Sequence, residues 1–287
     1  MRASTAAALL IGLLIRLTLA APTVETVLTP GGYRAATSLH EIPAGGSLAH
    51  VGSEIHVLAA NGTVVKKVAK GTPTKVQAAV SPLQTGWITF ASWLNQGSSP
   101  ISSFTTTWTV PPVPATNHGQ TIFLFNSIEP SAGDAILQPV LQYGGSAAGG
   151  GAFWAVATWY LDSSNTFFTT PVQTSAGATL NGIVQLTATS GSTYTYNSAF
   201  TNIGGTALTI VGVPEQLTWA TETLEAYGVT AISDYPAGST VFSGINLRLQ
   251  NGATPSVSWA TQQDTADGLS TTVNTNGATN AVITIRY

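Results

Sequence analysis

From Gly86 onward, apolar and polar positions alternate in short runs, each closed by Gly, Asn or Pro. Such period-2 runs bounded by turn residues predict strands. Trp87–Trp93 is one and Phe104–Val110, ended by Pro111-Pro112, is another. Further strands are expected at Thr121–Phe125, Ala135–Tyr143, Phe153–Leu161, Gly182–Thr189, Ser192–Ala199, Ala207–Val213, Gln216–Tyr227, Val241–Leu249 and Ala281–Tyr287. No segment carries a sustained helical period, and no repeat is evident. Short strands at roughly even spacing predict an all-β fold, a two-sheet antiparallel β-sandwich of the concanavalin A-like jelly-roll kind.

The first residues carry a different pattern. Arg2 precedes an apolar stretch from Ala6 to Ile15, interrupted by Arg16, with small residues at Thr18 and Ala20 before Ala21-Pro22. That predicts a signal peptide over 1–20 and a secreted, extracellular product. No other stretch reaches membrane-spanning length, so no membrane partner is expected. The chain has no cysteine, which excludes disulfides, thiol nucleophiles and Cys-based zinc sites. With 44% hydrophobic and only 7% charged residues, it has ample material for one core and little of the signature of disorder.

Charge divides the chain. Between Ala21 and Lys75, five bases face three acids, a net +2, and every lysine falls here. From Val76 on, two bases face nine acids, a net −7. Nucleic acid is therefore not an expected partner. We read 21–80 as a pro-segment and 81–287 as the working domain, expected to act as a monomer. The basic run Val64–Lys70 is either an exposed surface strand or part of a removable intramolecular inhibitor. In the second case its lysines neutralise carboxylates of the domain, and acid releases it by protonating them. Asn61-Gly62-Thr63 is a glycosylation acceptor.

Elimination narrows the chemistry. The only histidine after residue 76 is His118, in a loop, and no Gly-x-Ser-x-Gly elbow presents a serine. One histidine and no cysteine leave no metal site, and phosphate loops and dinucleotide fingerprints are missing, so no cofactor is expected. Carboxylates and carboxamides remain. Alternation places Gln138 and Gln142 on one face of their strand, with Leu137 and Leu141 on the other. Glu225 shares a face with Thr221, Thr223 and Tyr227, whereas Glu222 points oppositely and is expected to be solvated.

Three motifs then resemble one family, the glutamic peptidases or eqolisins of fungi and some prokaryotes. Thr107-Trp108-Thr109-Val110-Pro111 is similar to the family's Trp-Thr-Val-Pro strand end. Ala135-Ile136-Leu137-Gln138 resembles the segment with its catalytic glutamine, and Ala220–Glu225 has the spacing of the strand that ends in its catalytic glutamate. Trp159-Tyr160 falls where the family has an aromatic pair. Thr158 stands where the family tends to have a glutamate, and Phe125 where it usually has tryptophan. The resemblance implies a hydrolase: an acid-active endopeptidase made as a zymogen, cutting polypeptides with a water activated by Glu225 and an oxyanion held by Gln138. It also implies that the two are neighbours in a cleft lined by Trp108, Phe125, Glu129 and Trp159. Without the resemblance, Gln138 reads as a solvent-facing strand residue and the tryptophans as core. A carbohydrate-binding or glycoside-hydrolysing jelly roll, a non-catalytic wall module and an inactive peptidase homologue are the rival readings.

Overall fold

The computed structural model describes residues 25–71, 86–263 and 268–287. The expected signal peptide and residues 72–80 of the expected pro-segment lie outside them. The described residues form two large sheets packed face to face, the expected β-sandwich. Each strand foreseen from Gly86 onward is present, several of them longer than the alternation suggested. No helix among the described residues is long and apolar enough to cross a membrane.

One sheet has nine strands. Its central run is β7 (Trp87–Leu94), β17 (Leu217–Tyr227), β9 (Thr121–Pro130), β10 (Ile136–Ser146), β11 (Gly149–Leu161) and β12 (Thr166–Thr169). The other has ten, including β8 (Ile101–Thr109), β14 (Thr179–Ser190), β15 (Thr193–Phe200), β16 (Leu208–Val213) and β18 (Ser239–Leu249). Between the sheets lies the main core, where Leu124, Leu137, Leu141 and Leu224 of the first meet Phe104, Trp108, Phe200 and Phe242 of the second. Burying each such side chain contributes roughly 1.5–3 kcal/mol. A second apolar cluster covers the opposite, outer face of the nine-stranded sheet: Phe123, Phe125, Val140, Ala157, Trp159 and Phe168. Strands buried on both faces explain why β9 and most of β10 are buried throughout.

The segment read as a pro-segment is itself β-structure woven into both sheets, which its sequence did not announce. β1 (Thr26–Thr29) and β2 (Gly32–Ala35) form a hairpin. β3 (Leu39–Ile42) adds to the nine-stranded sheet parallel to β12. β4 (Ser47–Val51) adds to the ten-stranded sheet parallel to β16, followed by β5 (Glu54–Leu58) and β6 (Val64–Ala69). Among the described residues these are the two parallel pairings, and the others are antiparallel. The basic run is β6, an exposed edge strand, and the surface-strand reading fits it. Charged side chains on an edge suit it to stay unpaired.

Candidate active site

Gln138 and Glu225 both face the outer side of the nine-stranded sheet, but their register separates them. Gln138 is paired with Trp159 on one side, and Leu137 with Ile128 on the other, so Gln138 lies across from Ser127. Ser127 lies across from Thr221, whereas Glu225 lies across from Phe123. One strand, β9, lies between them, so two strand spacings and four residues separate the pair, about 16 Å between Cα atoms in a flat sheet. Glu129, paired with Trp219, is the diagonal neighbour of Gln138 on the adjacent strand, at about 7–8 Å. The expectation that Gln138 and Glu225 are adjacent is replaced by a shared face on which Glu129 stands closer to the amide.

All three side chains are fully buried. Both amide atoms of Gln138, both carboxylate oxygens of Glu129 and Oε2 of Glu225 have no hydrogen-bond partner among the described residues. Orphaned buried polar atoms are costly and mark a place where water or ligand belongs. Glu225 Oε1 accepts from the Tyr227 hydroxyl at 2.6 Å and from the Gly31 N–H at 2.7 Å. Burial pushes the Glu225 carboxyl up to about 8, against the lowering effect of the Tyr227 and Gly31 donors. Glu129 is raised well above the usual carboxylate range, first by burial and then by the charge of Glu225. The two carboxyls thus act on one another across the face.

The Gly31 donor belongs to the tip of the N-terminal hairpin. Thr29, Pro30, Gly31 and Gly32 are buried there, the Leu28 carbonyl accepts from the Ala147 N–H at 2.7 Å, and Tyr33 packs edge-on against Tyr227. Leu39 of β3 packs against the outer cluster as well. Residues 28–39 therefore cover the face that carries Glu225.

Alternation placed several residues correctly. Thr221 bonds Ser127 and Thr223 on the Glu225 face, and Glu222 points the other way. Glu222 is not solvated, however. It is fully buried between the sheets, where Thr106 of β8 donates to it, and burial raises its pKa well above the usual range. Parity fixes the face but not which face meets water. Trp108 also needs correction as a cleft residue. Its strand belongs to the other sheet, and its ring is sealed in the inter-sheet core against Phe200 and Phe242. Phe125 and Trp159 do lie on the outer face, in the cluster around Gln138. Thr158 pairs with Pro139 and is buried. His118, a half-exposed loop residue, is held by Asp234 at 2.8 Å. Among the described residues no group of acids, histidines or cysteines is arranged to hold a metal.

Alternation placed Tyr227 on the Glu225 face; sequence reasoning did not find Trp87, Gly31 or Ala147 there, and no local signal marked them. Trp87 stacks on Trp219 and meets Phe90 and Phe125, closing the face on the β7 side.

No family model matches the chain, and no curated protein is similar to it. Solved structures are similar in part. Scytalidoglutamic peptidase with a peptide-based transition-state analogue is 13% identical, covering 70% of this chain and 98% of that one, with a TM-score of 0.48. The same peptidase with a transition-state analogue inhibitor is 14% identical over 71% and 98%, TM-score 0.48. SCP-B, a member of the eqolisin family of peptidases, in complex with a tripeptide, is 14% identical over 70% and 98%, TM-score 0.46.

Proposed function

We propose that the protein is a secreted, acid-active endopeptidase, made as a latent precursor whose N-terminal segment sits on its own active face. One observation carries the reading. Three buried polar side chains with unpartnered atoms share a face, and the group bonded to one of them is a peptide N–H of a polypeptide strand, Gly31 on Glu225. A carboxyl that meets a peptide N–H is placed, once it has taken a proton from water, to pass that proton to the nitrogen of a departing amine.

In the active form the hairpin is displaced and water reaches Glu225, relieving the burial that raises its carboxyl. Once ionised it takes, through Oε2, a proton from the water that attacks the scissile carbonyl. The Gln138 amide N–H stabilises the developing oxyanion. The proton on Glu225 then passes to the departing amine. Glu129, near Gln138 and raised by burial and by the charge of Glu225, stays protonated when Glu225 ionises, so the face carries one charged carboxyl at a time. Phe125 and Trp159 form the apolar floor.

The test is cleavage of an unfolded protein substrate between about pH 2 and pH 6, the range in which carboxyls titrate, with an aspartic-peptidase inhibitor present throughout. Glu225→Gln is expected to lower the rate about 10²–10⁴-fold, and Gln138→Ala about 10²–10³-fold. Proteolysis that survives both substitutions removes them as the working pair. Absence of proteolysis, together with retention on immobilised glucan, would replace the reading with a carbohydrate-binding one.

A further inference from the structure

Beside the carboxylates, the outer face carries a second point of attachment for a polypeptide. The turn joining β10 to β11, residues 144–151, is built from Gly, Ser and Ala and is held rigid from within. Gln142 Nε2 donates to the carbonyls of Gly144 and Gly149, both at 2.8 Å, and its Oε1 accepts from the Ser146 hydroxyl at 2.8 Å. Ser146 Oγ accepts in turn from the Ala148 N–H, and Thr121 donates to the Gly145 carbonyl. The packing is close enough that a Cβ on Gly150 would lie 2.3 Å from the Gly144 carbonyl oxygen, so only glycine fits. The polar groups of the turn are thus spent on the turn, while the Ala147 N–H is directed outward. It donates to the carbonyl of Leu28, 119 positions away in the chain, at 2.7 Å.

Leu28 and Gly31 belong to one strand-and-turn of the N-terminal hairpin, and they are attached at Ala147 and Glu225 respectively. Both contacts use backbone atoms of the covering chain, so neither depends on its side chains. We propose that the turn between β10 and β11 is a peptide-backbone subsite: its Ala147 N–H holds a carbonyl on the N-terminal side of the bond cleaved at Glu225. The ligand class is an extended polypeptide, and the geometry gives it a polarity. The chain enters over the β10–β11 turn and runs toward Glu225 and Tyr227. Because the donor is a main-chain group, the subsite takes any residue at that position and rewards length rather than sequence. This deepens the peptidase reading and rests on it.

Residue-resolved amide exchange on the full chain tests the subsite without requiring turnover. Gly32 has φ of 101°, which a β-branched residue does not adopt, so Gly32→Val opens the hairpin. Lowering the pH of the unaltered chain until residues 25–36 lose protection gives the same opened state without a substitution. The Ala147 amide is expected to be protected in the closed chain and to exchange freely in either opened form. Adding acetyl-Thr-Val-Leu-Thr-Pro-Gly-Gly-amide, a copy of residues 26–32, is expected to restore its protection. The same peptide with the leucine carbonyl reduced to methylene is expected to bind about tenfold more weakly, the worth of one hydrogen bond. An Ala147 amide that stays protected after opening overturns the subsite. So does a peptide that shifts the β17 amides yet leaves Ala147 unprotected, or one that does not bind at millimolar concentration. Restored protection in a chain that cleaves nothing would keep the backbone subsite and discard the peptidase reading.

Discussion

Glu222 and Glu225 are three residues apart on one strand, and their different surroundings follow from strand parity. Glu225 turns to the outer face, where Tyr227 and Gly31 donate to it. Glu222 turns into the inter-sheet core, where Thr106 is its hydrogen-bond donor. A carboxyl with a raised folded pKa contributes stability that is fully present below its unfolded value, near 4.3, and is lost as pH rises. Glu222 and Glu129 both behave this way, so their contribution to stability is expected to be larger at pH 4 than at pH 7. Denaturant unfolding at the two values checks this. Glu222→Gln, which keeps the shape and removes the ionisation, is expected to stabilise the protein at pH 7 and to be near neutral at pH 4, flattening the profile. Equal effects of the substitution at both pH values would mean that Glu222 is already charged in the fold. Thr106→Val is expected to cost about 1–3 kcal/mol by leaving Glu222 without its donor.

At the scale of elements, β3 and β4 are the strands by which the N-terminal segment grips the two sheets, and each carries a histidine at the seam. His40 faces Asn165 at 3.3 Å, packs on Phe167 and has Lys66 on its other ring nitrogen at 2.8 Å, with Asp162 nearby. His50 faces the Tyr160 hydroxyl at 3.2 Å beside Lys70, in a cavity also lined by Asp134, Asp162 and Glu215. Burial lowers the pKa of both, and it pushes His50 down to about 4, with Lys66 and Lys70 respectively adding to the effect. Such a group holds the segment fully above the free-histidine value near 6.5 and loses that contribution as pH falls toward 4. For His50 the loss is roughly 3 kcal/mol. The expectation from sequence was that lysines pair with carboxylates and acid breaks the pairs. Among the described residues no lysine–carboxylate ion pair joins the segment to the domain, and the histidines are expected to supply the acid sensitivity instead. His50→Phe is expected to move the loss of protection of residues 25–71, followed by amide exchange, to lower pH. An unchanged midpoint would show that His50 does not hold β4 in place.

For the whole molecule, protons act on closure with two signs. The covered Glu225 carboxyl is raised to about 8, so its contribution to closure is present below about 4.5 and lost as pH rises through 8. The histidines act oppositely: between pH 7 and pH 4 the loss at His50 offsets the gain at Glu225, and His40 tips the balance toward opening. Acid is therefore expected to open the wild-type chain. In the double variant His40→Asn with His50→Phe, the raised carboxyls of the covered face, Glu225 and Glu129, remain to titrate, and both favour closure in acid. The hairpin of that variant is then expected to be better protected at pH 4.5 than at pH 7, a reversal visible in the exchange of Gly31. Hairpin protection that falls in acid in the double variant as well would place the acid sensitivity elsewhere.

Much of this protein was legible before any coordinates. The strands from Gly86 onward, their two faces, and the isolation of carboxylates and amides as the available chemistry follow from residue alternation and composition, because those are local properties of the chain. The faces of Gln138, Glu225 and Glu222 were correct for that reason. Register was not legible: it depends on which strand lies beside which, and it set Gln138 against Ser127 and brought Glu129, rather than Glu225, diagonally near it. Burial was not legible either, since alternation cannot say that Trp108 and Glu222 face a second sheet. Nor could it show that an N-terminal segment of modest pattern adds parallel strands to both sheets and lays Gly31 on Glu225 across 194 positions of sequence. Contacts at such separation are decided by the packing of the entire chain, which only the tertiary structure contains.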